Sequence, residues 1–147
     1  MHKSKGKWRA SAKDTWCIEN SLSPIILAYL EKLYEQLGES ECHGVPMYYM
    51  DLNDQDIYAA DKHRMEDLKE LIWVFGSEEP RIEDYDFDIK MNVAKNPDPN
   101  ARVSGPVTFD ITNQEEYDRY TKDVDEYWER KKKGFELFGK IYLSLDW

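Results

Sequence analysis

Five times between residues 115 and 140 an acidic side chain stands four positions ahead of a basic one: Glu115/Arg119, Asp118/Lys122, Glu126/Arg130, Glu129/Lys133 and Glu136/Lys140. On a helix such residues are neighbours, and each pair in this order stabilises the helix by ~0.2–0.5 kcal/mol. Extended chain brings no such residues together, so the pattern predicts one long helix over about 113–144. Thr112 followed three residues on by Glu115 reads as the capping box that opens it. Tyr117, Tyr120, Val124, Tyr127, Trp128, Phe135, Phe138, Tyr142 and Leu145 make its inner stripe. Gly134 and Gly139 each cost ~1 kcal/mol inside a helix, so they are expected to admit another element closely or to mark a bend. Lys131 falls on the stripe, seven residues from both Val124 and Phe138. A cation there must snorkel, pair with a buried acid or face a ligand.

Two more helices are expected upstream. Ser23-Pro24 is a helix start, Ile26, Leu30, Leu33 and Leu37 follow at helical spacing, and Gly38 stops the run, giving a helix over about 23–37. Asp14 reads as the cap of a short turn before it. The next helix spans about 54–75, with Asp54 or Asp56 near its cap and Ile57, Met65, Leu68, Leu71, Ile72 and Phe75 facing inward. Trp73 lies at the edge of that stripe, and Gly76 closes it. Between the two, residues 38–53 read as irregular, with Val45 to Met50 as a short extended piece.

The period then changes. Tyr85, Phe87, Ile89, Met91 and Val93 alternate with Asp84, Asp86, Asp88, Lys90 and Asn92, the pattern of a half-buried strand. A turn-rich loop, Asn96 to Asn100, leads to a second alternating run, Val107, Phe109 and Ile111. The two runs predict an antiparallel hairpin, about 84–94 with 106–111, placed before the long helix. The expected fold is therefore α+β and mainly α: three helices and one hairpin.

Charge divides the chain. Residues 1–13 hold Lys3, Lys5, Lys7, Arg9 and Lys13 and no acid, whereas the rest carries 15 basic residues against all 30 acids. The reading is a basic N-terminal arm (1–13) on a single globular domain (14–147). An acidic body repels nucleic acid and anionic membrane, whereas the arm, with Trp8 among its cations, has the minimal composition for nucleic acid. No run approaches the ~20 apolar residues of a membrane helix, and no signal peptide is legible. Two cysteines, Cys17 and Cys42, read as reduced thiols of a cytoplasmic protein.

Catalytic chemistry finds little support, and no cofactor is expected. Cys17, Cys42 and His43 lack zinc spacing, and His63 with Asp67 reads as an ordinary helical pair. Asp51 to Asp56 begins like a calcium loop but lacks its glycine and its final glutamate. There is no Gly-rich phosphate loop and no nucleophile–base signature. Asp84, Asp86 and Asp88, on one expected strand face, could hold a divalent cation, which leaves a metal-dependent hydrolase as one alternative; alternation with an apolar face favours a solvated hairpin face instead. A second alternative is a binder of a nucleotide-like ligand, with Trp73 and Trp128 to stack on a base and Arg130 and Lys131 to meet phosphate.

Both ends carry a resemblance. The segment DTWCIENSLSPIILAYLEKL (14–33), the helix ending Ile72-Trp73-Val74-Phe75, and the close GFELFGKIYLSLDW (134–147) together resemble a group of small tailed-phage proteins. That group opens on a D-T-W segment, closes on L-F-G-K and L-x-W, and has no agreed function. The hairpin and the lysine-rich arm depart from its pattern. The resemblance implies a viral protein acting in the cytoplasm of an infected bacterium and transfers no active site. With no catalytic spacing, the leading expectation is a non-enzymatic interaction protein that modulates a host factor, counter-defence among the roles, through a basic surface on its target. The long helix also offers a seam for pairing with a copy of itself.

Overall fold

The computed structural model describes residues 2–4, 7–9, 18–39, 44–95 and 105–145. Its elements are β1 (His2–Ser4), β2 (Lys7–Arg9), α1 (Ile18–Glu39), α2 (Met47–Leu52), α3 (Ile57–Gly76), β3 (Ile89–Val93), β4 (Val107–Ile111) and α4 (Gln114–Ile141). Single 3₁₀ turns stand at Ile82–Asp84 and Tyr142–Ser144. The fold is α+β and mainly α, with an antiparallel hairpin ahead of the long helix. Asp14, Cys17, Cys42, His43 and the loop 96–100 lie outside the described residues.

The chain forms two compact units: one of residues up to Glu78 together with Arg130 onward, the other Glu79–Glu129. The first holds the main core. Leu30, Leu33 and Leu37 of α1 meet Tyr49 of α2, Ala60, Leu68, Leu71, Val74 and Phe75 of α3, Ile141 at the end of α4, and Leu145 after it. These are the i, i+3, i+4 positions of each helix, so the apolar stripes fold against one another. Gly134 of α4 sits so close to Val74 that a Cβ added there would overlap the valine's Cγ2. Of the two readings for the glycines, Gly134 takes the close approach, whereas a Cβ at Gly139 would meet nothing within 4 Å.

Several boundaries differ from expectation. Helix α1 starts at Ile18 and carries Pro24 in its interior, so Ser23 is not its cap, and it runs through Gly38 to Glu39. Residues 47–52 are helical, not extended: Pro46 supplies a ready N-cap, its carbonyl accepting from Tyr49 N and Met50 N. Asp54 and Gln55 then turn the chain with φ of 51° and 63°. Asp56 caps α3, its carboxylate accepting from Tyr58 N at 2.9 Å and Ala59 N at 3.2 Å.

In the second unit the ladder begins at Ile89, not at 84. Tyr85 and Phe87 do point one way, but toward the first half of α4: Tyr85 stacks edge-on against Tyr120, Phe87 against Tyr117, and the Tyr85 hydroxyl donates to Asp123 at 2.8 Å. Their alternation records burial against a helix. Among the described residues no strand faces this segment, because β4 ends at Ile111 and the next turn starts α4. Asn113 caps that helix, its Oδ1 accepting from Glu116 N, while Thr112 Oγ1 instead accepts from Asp88 N at 2.8 Å. The acid–base pairs also rearrange. Arg119 pairs with Glu116, Lys122 reaches forward to Glu126, and Arg130 pairs with Glu70 of α3.

Candidate interaction surface

The hairpin of the second unit has a fixed register: Ile89 faces Ile111, Lys90 faces Asp110, Met91 faces Phe109, Asn92 faces Thr108, and Val93 faces Val107. Strand period places Ile89, Met91, Val93, Val107, Phe109 and Ile111 on one face. Burying that face is what the alternation leads one to expect, yet it is open. Met91 and Phe109 are each 62% exposed, and Ile89, Val93 and Val107 are also exposed. Five large apolar side chains in register and uncovered form a contiguous patch of the kind that marks a binding surface.

Hydrogen bonding sets which backbone groups are free. Thr112 N donates to Asp88 O and Ala94 N donates to Pro106 O, so the even-numbered residues of β3 sit at hydrogen-bonded positions. The apolar pairs then occupy the non-hydrogen-bonded positions, where side chains approach more closely and amides point outward along the edges. At the far end Gly105 N donates to Ala94 O, and a Cβ on Gly105 would stand 2.5 Å from that oxygen. The opposite face is polar: Asn92 Nδ2 donates to Asp110 Oδ2 at 2.6 Å.

The unit around this patch is strongly acidic. Residues 79–129 hold 14 acids and six basic residues. Asp84, Asp86 and Asp88 are all exposed where the chain enters β3. They do not share a strand face, since Asp84 lies in the 3₁₀ turn and the strand starts after Asp88. No group of three metal-capable side chains gathers among the described residues.

The other expected site residues fall as follows. Lys3 lies on β1, and Lys7 and Arg9 lie on β2, which pairs with it antiparallel; Lys5 and Lys13 lie outside the described residues. Arg130 does meet Trp73, its guanidinium 3.6 Å from the ring centroid. The same guanidinium donates through Nε and Nη2 to both Glu70 oxygens at 2.7 Å, and that bond holds the Glu70 carboxyl below its ordinary range. Its charge is thus matched by a carboxylate where phosphate was expected. Trp128 is half exposed, its indole N–H donating to Glu79 at 2.9 Å, and Lys131 is 3% exposed with its ammonium near the Phe135 ring.

Two features of the first unit were not anticipated. A cavity of about 490 Å³ is lined by Ile25, Ile26, Tyr29, Phe138, Tyr142, Leu143 and Leu145, with the Tyr29 hydroxyl donating to Leu145 O at 2.9 Å. Its lining contains no charged residue and none of the expected ligand-binding residues. The signal available was Leu143, which steps off the helical stripe and is 87% exposed. The second is a polar group around Tyr49. Asn53 Nδ2 donates to Tyr49 O at 2.7 Å and lies 3.2 Å from His63 Nδ1, and His63 Nε2 lies 3.8 Å from Asp67 Oδ2. Burial lifts the Asp67 carboxyl above its ordinary range, against the pull of Tyr49 and His63, and burial together with Asp67 raises the Tyr49 phenol.

No helix among the described residues is long and apolar enough to cross a membrane. No protein family, curated protein or solved structure matches the chain.

Proposed function

We propose that the chain is a non-enzymatic interaction protein, phage-encoded, that binds and modulates a host factor carrying a basic surface in the cytoplasm of an infected bacterium. The observation that carries this reading is the open apolar face of β3 and β4 within a unit of 14 acids and six basic residues. Apolar contact at such a patch supplies affinity, and the surrounding acids select a cationic partner and speed encounter. The cation expected to serve a nucleotide already pairs with Glu70, which disfavours the nucleotide reading.

The test is capture from bacterial lysate on the full chain and on Met91→Ser/Phe109→Ser, at low and at high salt. Both side chains are mostly exposed, so the double variant should keep its circular dichroism spectrum. A protein retained at low salt, released at high salt and absent from the variant is the expected result. A capture profile identical for the two chains would refute the reading.

A further inference from the structure

The proposed reading leaves open how a partner meets the hairpin, and the hydrogen-bond phase of the ladder bears on that. Because Asp88 and Ala94 bond inward, the amides and carbonyls of Ile89, Met91 and Val93 point outward from β3. The side chains of those same residues form half of the exposed apolar face. Natural edges are protected by proline, bulges or charges on the strand. Here β3 contains no proline, and its one charge, Lys90, lies opposite Asp110 on the polar face. Immediately before the strand stand Asp84, Asp86 and Asp88, all exposed. An extended chain laid along β3 and continuing past Ile89 would run beside that acidic row.

Resting on the interaction reading above, we propose that the outer edge of β3 is a strand-addition site for an extended segment of alternating apolar residues with lysine or arginine at one end. The segment bonds main chain to main chain with Ile89, Met91 and Val93. Its apolar side chains extend the open face of the hairpin, and its cations lie beside Asp86 and Asp88. Backbone bonding supplies affinity in this mode, and alternate side chains supply specificity. Asp84, Asp86 and Asp88 thereby select the partner by charge.

The test uses the ¹⁵N-labelled full chain and the peptide acetyl-Val-Thr-Val-Thr-Val-Lys-Arg-amide, which in antiparallel pairing sets its valines opposite Val93, Met91 and Ile89 and its cations beside Asp88 and Asp86. Two control peptides carry Glu-Glu in place of Lys-Arg, or N-methyl groups at the valines. The expected result is that the amides of Ile89, Met91 and Val93 shift and gain protection from exchange, with both controls at least about tenfold weaker. Asp86→Asn/Asp88→Asn should weaken the first peptide alone, by severalfold. Equal binding of the N-methylated peptide, shifts confined to β4, or no shift with any peptide would overturn the edge proposal. Loss of lysate capture in the Met91/Phe109 variant would still stand after any of these, so the two readings fail separately. Protection of the same amides that grows with protein concentration, without peptide, would assign the edge to a second copy and likewise overturn it.

Discussion

The contact between Gly134 and Val74 invites a direct test. Val74 is fully buried, and a methyl at residue 134 would overlap its Cγ2 and stand 3.2 Å from its Cβ and Cγ1. A valine in a helix holds one χ1 rotamer in ~90% of cases, so the methyl cannot swing clear and the two helices must part. Such overpacking costs ~1–3 kcal/mol. Against it, replacing glycine by alanine in a helix returns up to ~1 kcal/mol. Gly134→Ala should therefore destabilise by up to about 2 kcal/mol, a fall in Tm of up to about 4–8 °C for a chain of this size. Gly139→Ala is the internal control. With no atom within 4 Å of its added Cβ, only the helix gain remains, and Tm should rise by about 2–4 °C. Val74→Ala alone removes two buried methyls at a cost of about 2 kcal/mol. In that background the methyl at 134 has room, so Gly134→Ala should become neutral or stabilising, a coupling of ~1–3 kcal/mol. Urea and thermal denaturation of the four variants read all of this. A Gly134→Ala chain that gains stability as Gly139→Ala does, or additivity with Val74→Ala, would refute the reasoning.

Three further outcomes follow from the same structure. Arg130→Lys keeps the charge but loses the two-pronged bond to Glu70 and the planar stack on Trp73, and should cost ~0.5–1 kcal/mol in urea denaturation. Because Glu70 is held below its ordinary value, the part of that deficit due to the Glu70 bond should persist above the ordinary glutamate range and be lost as pH falls through the lowered folded-state value, leaving only the stacking part; a deficit independent of pH would contradict the assignment. Asp67, with its folded-state pKa raised, holds its proton more tightly when folded, so its contribution to stability falls as pH rises from the ordinary aspartate range through the raised value. Asp67→Asn should remove that falling limb and raise Tm at neutral pH; an unchanged Tm profile across acid and neutral pH would count against it. Asp56→Ala removes the acceptor for two amides at the start of α3 and should cost ~1 kcal/mol by thermal denaturation, with a change under a few tenths contradicting the capping role.

The helices were legible because their signals are local. Acid-before-base spacing along 115–140 and the apolar stripe of 57–75 both depend on side chains one turn apart, and both lie inside helices of the fold. What sequence could not supply was the partner of each face. Alternation from Tyr85 to Val93 states only that one side differs from the other. Tyr85 and Phe87 bury theirs on α4, whereas Ile89, Met91 and Val93 leave theirs open, and the periodicity is identical in both stretches. Arg130 illustrates the same limit: Glu126 stands four residues ahead on its own helix, yet the better-placed carboxylates belong to Glu70, 60 residues away in sequence. Thr112 satisfies the rule for a capping box, but closing the hairpin against Asp88 claims its hydroxyl, and Asn113 takes the cap. The open apolar face was missed for the first of these reasons: alternation assigned Ile89, Met91, Val93, Val107 and Phe109 to a core that does not cover them.

The helix α4 belongs to both units, its residues through Glu129 to one and those from Arg130 to the other, while the whole of 79–129 interrupts the first unit in sequence. During synthesis α1, α2 and α3 leave the ribosome well before Ile141 and Leu145, which complete their core. The intervening 51 residues must emerge before that core can close, and the loop-closure entropy for such a span grows only slowly with its length. Meanwhile Tyr85 and Phe87 find their partners Tyr117, Tyr120 and Asp123 within residues 79–129 themselves. The acidic unit, with its open apolar face, thus has all its residues in hand while the larger core is still waiting for its last side chains.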